Sequence, residues 1–445
     1  MNNIIYPRFI TYFFIWMIYL TFMSAYAPLG TDWLSWHFQR IYNLSEYLKI
    51  NGYFSNFGFS IWNTCQDYGM AEYCSLISDN WTNKIYLSIN IFSNSPYVLI
   101  NNFFGSNNLK LYGHLVDKSI IFFAGCLISE LLIMLSTKKS NKSYDFIKAV
   151  LCFTFFIVNP WTYKMIIANW WIIFFLTFFL LGILMFSIKK NKLALSSFFI
   201  AGCFDYQSSA GIAFFYFLLI IIFNFKKKQY LNKEYFPIIT DSRWINYNII
   251  ISLMLPVIIH FVLRFLAGSE LQMTGGTSFL TRIGISGNDI HNGGILGSMQ
   301  FLGGNRITQC LMNFDPQMDL MNVSKSIYVY NCILSTLSMF VVSLISIVGL
   351  FFLSKSEGAF FKLIIFPISF LFLSYIFILQ QSTSAHLMGY SYFFAALFSV
   401  GITSVIFKIL EKCNFSLISI FLLTPITIGV ILLCIRVSML TGLNG

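Results

Sequence analysis

Long apolar runs alternate with short polar segments along most of the chain, and this alternation predicts helices that cross a membrane. A helix needs about 20 mostly apolar residues to span the hydrocarbon core of a bilayer. Eleven runs are candidates: 9–28, 117–137, 147–160, 166–188, 194–205, 208–225, 246–267, 327–353, 359–380, 388–408 and 415–437. The third and fifth are short, so we expect them to reach half-depth or to continue into bent neighbours. The pattern predicts an all-α polytopic membrane protein with about eleven transmembrane helices.

The composition supports the same fold class. Hydrophobic residues make up 57% of the chain and charged residues only 10%, whereas a soluble domain is about 25% charged. The formal net charge is +11, as expected when cytoplasmic loops carry an excess of Lys and Arg. The sequence contains no recognisable soluble basic domain, so we expect membrane lipids and not nucleic acid as partners.

Basic residues predict the orientation, because they cluster in alternate polar segments. These segments are KKSNK at 138–142, KKNK at 189–192, KKKQYLNK at 226–233, and the pairs Lys355 with Lys362 and Lys408 with Lys412. Loops rich in Lys and Arg stay in the cytoplasm. We therefore expect a cytoplasmic N-terminus and an external C-terminus.

This orientation makes two long segments external, at 30–115 and 268–325, within a single transmembrane domain that covers 1–445. The second is rich in glycine, which permits tight turns and close approach of the backbone to a ligand. Cys65 and Cys74 flank a polar stretch of the first, where an oxidising compartment would allow a local disulfide. Five other cysteines lie in or beside apolar runs and are expected to pack as small apolar side chains: Cys126, Cys152, Cys203, Cys332 and Cys434.

The first external segment opens with Asp32 and continues with an amphipathic pattern. Its apolar residues recur at spacings of three and four: Leu34, Phe38, Ile41, Leu44 and Leu48. Interleaved Trp and Tyr suit a helix that lies in the membrane interface. Asp32 has two interpretations. It caps this helix, or it is a functional carboxylate that takes a proton from an acceptor hydroxyl or holds a divalent cation.

One transmembrane helix, an acid at its outer end and an interfacial helix ending in NGYF resemble the start of GT-C-type glycosyltransferases. The resemblance implies sugar transfer from a polyprenyl-phosphate-linked donor to a lipid-linked or glycan acceptor. It places this reaction on the non-cytoplasmic face of a membrane, which we expect to be the bacterial inner membrane. By position, it gives Asp32 the role of the catalytic acid. The two long external segments agree with the layout of that family.

The chain also departs from that family, because many members carry a second acid after their third span. Here the corresponding loop is NPWTYKM, with Lys164 and no carboxylate. The nearest acid is Asp205 in CFDYQSS, which is either a turn residue or a second functional acid. A divalent cation would be a cofactor only if Asp205 approaches Asp32.

A lipid-phosphate donor also requires cationic side chains. The candidates that we single out for donor-phosphate or substrate binding are Arg40, Lys164, Arg282, Arg306 and His386. Solvated loop charges, snorkelling and helix capping are the alternatives. We expect His260 to pack, Trp161 to join an aromatic belt on the outer face, and Glu130 to pair locally or face the bundle interior.

Two other functions fit parts of the pattern. A polysaccharide polymerase or ligase would share external Arg and His residues without needing Asp32. A transporter or lipid flippase would place ionisable residues near the middle of the membrane and would have symmetric halves.

Overall fold

A computed structural model describes residues 2–26, 60–62, 84–86, 93, 95–135, 142–168, 172–226, 243–266, 325–356, 360–378, 384–413 and 417–442. These residues are almost entirely helical. The helices, which we number in chain order, are α1 Asn2–Tyr26, α2 Ser95–Phe104, α3 Ser106–Met134, α4 Lys142–Val158, α5 Pro160–Ala168, α6 Ile172–Ser187, α7 Asn191–Phe204, α8 Tyr206–Lys226, α9 Arg243–Leu266, α10 Lys325–Ser356, α11 Phe366–Ile378, α12 Ser384–Lys412 and α13 Leu417–Gly442. A π-helical turn, Phe361–Ile365, precedes α11. The strands β1 Ser60–Trp62 and β2 Lys84–Tyr86 pair antiparallel, with Ser60 opposite Tyr86.

By length and composition, three of the described helices could cross a membrane. They contain the apolar stretches Tyr330–Leu353, Tyr392–Lys412 and Ile420–Met439. A fourth span results if α4 and α5 count as one bent helix. Other apolar helices are shorter: Pro7–Met23, Ile172–Ser187, Asn191–Phe204, Tyr206–Ile221, Tyr247–Leu263 and Leu363–Ser374. The structure thus supports an all-helical membrane protein, whereas the number of eleven spans is not confirmed.

The chain forms two compact units. Unit 1 comprises residues 1–29, 121–167 and 289–445. Within its described part, α4 contacts α1, α12 and α13, and α12 also packs against α10 and α11. Aromatic side chains fill this core: Tyr12 stacks on Phe153 with ring centroids 4.6 Å apart. Unit 1 therefore combines the first helix with the last helices of the chain.

Helices α4 and α5 meet at an angle of 60°, because Asn159 and Pro160 interrupt the helix. The Asn159 amide nitrogen donates to the carbonyls of Phe155 and Phe156 at 2.8 and 2.7 Å. Its amide oxygen accepts from the Thr162 backbone N–H at 2.8 Å. Asn159 thereby ends α4 and caps α5, and Pro160 takes the first helical position, which needs no N–H donor. The short run predicted at 147–160 indeed continues into a bent neighbour.

Helices α10 and α12 of unit 1 approach so closely that their backbones touch. A Cβ atom on Gly349 would collide with the Gly401 carbonyl, and one on Gly401 would collide with the Ser346 carbonyl. The Ser346 hydroxyl donates across the contact to the Phe398 carbonyl at 2.9 Å. Small residues at a crossing point are typical of helices that associate within a membrane.

Unit 2 comprises residues 30–120 and 168–288. Helix α7 contacts α6, α8 and α9, and α9 also contacts α8. Helices α2 and α3 are joined by the single residue Gly105, whose φ of +80° suits glycine. The Gly105 N–H donates to the Asn101 carbonyl at 2.9 Å and so ends α2. This turn brings the start of α3 back beside α2.

Candidate functional site

The break between α7 and α8 in unit 2 contains Asp205, one of the two acids predicted to be functional. Asp205 has extended backbone angles, φ −144° and ψ 96°. Its N–H still donates to the Ala201 carbonyl at 3.2 Å, and its own carbonyl accepts from the Ser209 N–H at 3.0 Å. The residue therefore closes α7 and opens α8 without a loop between them.

The Asp205 side chain caps α8. Its carboxylate accepts the Ser208 hydroxyl and the backbone N–H of Gln207, the latter at 3.2 Å, and the Ser208 N–H also points to it. These are the donors that an N-cap residue satisfies. Asp205 is only 3% exposed. These contacts confirm that Asp205 is a turn residue between two helices. Unlike a cap on a solvated surface, however, its side chain is buried.

Helix α9 covers this break from one side. The Tyr206 ring stacks on His260 with centroids 3.9 Å apart and planes inclined by 14°. The Ser209 hydroxyl donates to the Leu253 carbonyl at 2.7 Å. A Cβ atom on Gly202 would meet the Pro256 ring at 2.9 Å. His260 packs as expected, but it packs directly on the residue that follows Asp205.

An aromatic chain leads from the break to a second buried carboxylate. Phe204 stacks on Phe174 with centroids 4.7 Å apart, and Phe174 contacts Tyr97 edge-on at 6.2 Å. The Tyr97 hydroxyl donates a hydrogen bond to the Oδ1 atom of Asp117. Both side chains are buried, and Asp117 has no exposed surface. The described part of unit 2 therefore holds two buried acids, which Phe174 and Phe204 connect.

Sequence analysis missed Asp117, because it stands at the first position of an apolar run and was interpreted as its boundary. A signal was present in the sequence. Tyr97 and Asn101 are four residues apart, and His114 and Asp117 are three apart, so each pair shares one face of its helix. Polar residues at such spacings within apolar helices indicate a buried polar surface.

The other predicted site residues are distributed as follows. Asp32, Arg40, Arg282 and Arg306 lie outside the described residues, as does the interfacial helix expected after Asp32. Lys164 is half-buried in α5 and belongs to unit 1, whereas Asp205 belongs to unit 2. His386 lies in the first turn of α12.

Two further expectations for unit 1 change. Glu130 was expected to pair locally or to face the interior; it pairs with Arg8 of α1, so local pairing is wrong. Trp161 was expected in an aromatic belt, but it has no exposed surface and contacts Phe394 with ring centroids 4.6 Å apart. Its indole fills the core because the bend after Asn159 turns α5 inward against α12.

The cysteines differ in one respect from the expectation. Cys126, Cys152, Cys203 and Cys434 are buried free thiols. Cys332 is disulfide-bonded, so it is not simply a small apolar side chain. Cys65 and Cys74 lie outside the described residues.

The sequence left open whether the protein binds a divalent metal ion. Within the described part of the chain, no group of three or more His, Cys, Asp or Glu side chains could hold a metal ion. Zinc or a catalytic divalent ion usually needs such a group. Compared with protein-family models and with curated proteins, the chain gives no match.

Proposed function

We propose that this protein is a membrane glycosyltransferase of the GT-C type, which transfers a sugar from a polyprenyl-phosphate-linked donor to a glycan or lipid acceptor. The observation that supports this most is the buried Asp205 at the break between α7 and α8. Acids inside apolar helices are unfavourable and are usually kept for function. Interrupted backbone is tolerated at membrane depth only where protein or a water-filled cavity surrounds it.

The length of α7 gives the depth of this break. Its 14 residues extend about 21 Å, which is less than the roughly 30 Å of a hydrocarbon core. With its first residue at the cytoplasmic boundary, as the KKNK segment suggests, α7 ends below the external surface. Asp205 would then line a depression open to the non-cytoplasmic side, where a lipid-linked sugar would arrive.

In this proposal, Asp32 accepts the proton of the acceptor hydroxyl as the new glycosidic bond forms. Asp205 positions the acceptor: an ionised carboxylate accepts about four hydrogen bonds, and Ser208 with Gln207 fills three of these positions. Arg40, Lys164, Arg282, Arg306 and His386 supply the cations for the donor phosphate, which leaves as polyprenyl phosphate.

A second candidate function is transport or flipping of a lipid-linked substrate. Two observations favour it: Asp117 is fully buried within α3, and both α4–α5 and α7–α8 are interrupted helices. Interrupted helices that carry buried polar groups are common at the binding sites of transporters. A polymerase or ligase of lipid-linked glycans is the third candidate and differs in not requiring Asp32.

Release of polyprenyl phosphate separates these candidates. We would incubate the purified full-length protein with a panel of undecaprenyl-phosphate sugars and acceptor glycolipids, and measure free undecaprenyl phosphate by mass spectrometry. We expect Asp32→Asn to reduce release by about 10²–10⁴-fold, since it removes the base. Asp205→Asn should mainly raise the acceptor KM, because the amide cannot replace all the carboxylate's contacts.

The matched control is Glu411→Gln, which changes an exposed acid at the end of α12 to its amide in the same way. It should retain wild-type release. Wild-type protein that moves labelled donor across vesicles without releasing polyprenyl phosphate would instead establish the transport candidate. Release that survives Asp32→Asn unchanged would favour the polymerase.

A further inference from the structure

We infer that Asp117 and the polar side chains beside it form a binding site for one monovalent metal cation, for which Na⁺ is the probe. The site lies between α2 and α3 of unit 2. It is distinct from the break at Asp205, and it does not depend on the function proposed above.

The α2–α3 turn brings two polar helix faces together. Tyr97 and Asn101 lie one turn apart on α2, and His114 and Asp117 lie one turn apart on α3. All four are buried, with side chains between 0% and 5% exposed. The Tyr97–Asp117 hydrogen bond shows that the two faces meet. Gly105 makes this possible, since its φ of +80° lets one residue connect the helices.

The charge of Asp117 is only partly balanced: Lys118, the next residue along α3, interacts with it electrostatically but is not in an ion pair with it. The carboxylate Oδ1 accepts the Tyr97 hydroxyl, whereas Oδ2 is buried and accepts a hydrogen bond from none of the described residues. No described Lys, Arg or His forms an ion pair with it. An isolated buried carboxylate is strongly unfavourable, and each unsatisfied buried group requires an explanation. A cation at Oδ2 provides one.

The chemistry of the surrounding groups selects the kind of cation. When ionised, Asp117 carries a single negative charge, and the neutral oxygens on the facing helix belong to Tyr97 and Asn101. Sites for Ca²⁺ or Mg²⁺ usually bring several carboxylates, and zinc sites bring three or four His, Cys or acidic ligands. One carboxylate with neutral oxygen donors balances a single positive charge. His114, on the same face of α3, would border the site.

The test is equilibrium binding of ²²Na⁺ to purified full-length protein in detergent, at constant ionic strength with choline as the replacement cation. Wild-type protein should bind Na⁺ saturably, with about one ion per chain. Asp117→Asn, which keeps the size of the side chain, should abolish binding. Tyr97→Phe removes the group that orients the carboxylate and should weaken affinity by about 10–100-fold.

Asp205→Asn is the matched control, because it changes another buried acid in the described part of unit 2 and should leave Na⁺ binding intact. Melting temperature measured in the same buffers gives a second readout: Na⁺ should raise it for wild type and for Asp205→Asn, but not for Asp117→Asn. Absence of saturable binding by the wild type would overturn the inference. Full Na⁺ binding by Asp117→Asn would also overturn it. So would a wild-type melting temperature that rises as the pH falls but does not respond to Na⁺.

None of these measurements uses a sugar donor. A chain that binds Na⁺ but releases no polyprenyl phosphate would keep the cation site and lose the proposed transferase function. A chain that releases polyprenyl phosphate but binds no Na⁺ would keep the proposed transferase function and lose the cation site.

Discussion

Arg8 of α1 and Glu130 of α3 form a bidentate ion pair, although 122 residues separate them in the sequence. The Arg8 Nε atom donates to Oε1 at 2.8 Å and an Nη atom donates to Oε2 at 2.6 Å. The Tyr12 hydroxyl adds a third hydrogen bond to Oε1 at 2.9 Å. Arg8 is buried and Glu130 is half-buried. This geometry fixes the register of the first helix against α3 within unit 1.

Removal of one partner of this pair should destabilise the protein more than removal of both. Glu130→Gln leaves the Arg8 guanidinium buried without its ion-pair partner, and such a loss costs about 3–5 kcal/mol. The partial exposure of Glu130 places the expected value at the lower end of that range. In the double variant Arg8→Met with Glu130→Leu, no charge is left to be buried. We therefore expect its melting temperature to lie above that of Glu130→Gln.

The measurement is thermal unfolding of the purified variants in one detergent, followed by intrinsic Trp fluorescence. Glu411→Gln again serves as the control, because its ion pair with Lys408 is exposed and should contribute little. A double variant that melts as low as Glu130→Gln, or lower, would show that the pair itself, and not the uncompensated charge, determines the stability.

Parts of the fold could be predicted because they depend on local composition. The apolar runs at 327–353, 388–408 and 415–437 correspond to α10, α12 and α13, since length and hydropathy suffice for such helices. A bend near 147–160 was one of two possibilities, because the run is short; the other was a segment that reaches half-depth. Shorter helices such as α7 are apolar but not long enough to be assigned as spans on their own.

The polar contacts could not be predicted, because they join distant parts of the chain. Nothing near Glu130 in the sequence indicates Arg8 as its partner. Asp117 appeared to be a boundary residue, since its partner Tyr97 belongs to a different helix. Trp161 appeared to be an interface residue, since only the bend at Asn159 directs it inward. Asp205, by contrast, was recognisable as an acid that interrupts apolar sequence.

The contact between α10 and α12 should not tolerate a side chain. Gly401→Val would force Cβ and both methyl groups against Ser346, so we expect a loss of about 1–3 kcal/mol or more as the helices separate. Gly429→Val in α13 is the matched control, since a Cβ atom there meets nothing within 4 Å. Melting temperature and elution in size-exclusion chromatography measure both. Equal losses for the two variants would mean that glycine flexibility, and not close packing, explains the effect.

The cysteines provide a test of the proposed orientation. Cys332 lies near the start of α10, on the side proposed to be external, and it is disulfide-bonded, as an oxidising compartment allows. Among the described cysteines, the other five are free thiols. The exposed thiol of Cys413 follows α12 and is proposed to face the cytoplasm. In intact cells, a membrane-impermeant maleimide should therefore label Cys413 only after permeabilisation. Non-reducing peptide mapping should show Cys332 in a disulfide-linked peptide and so identify its partner. Cys413→Ser is the control that identifies the labelled peptide. Labelling of Cys413 in intact cells would contradict the proposed orientation, and with it the proposed external location of the site.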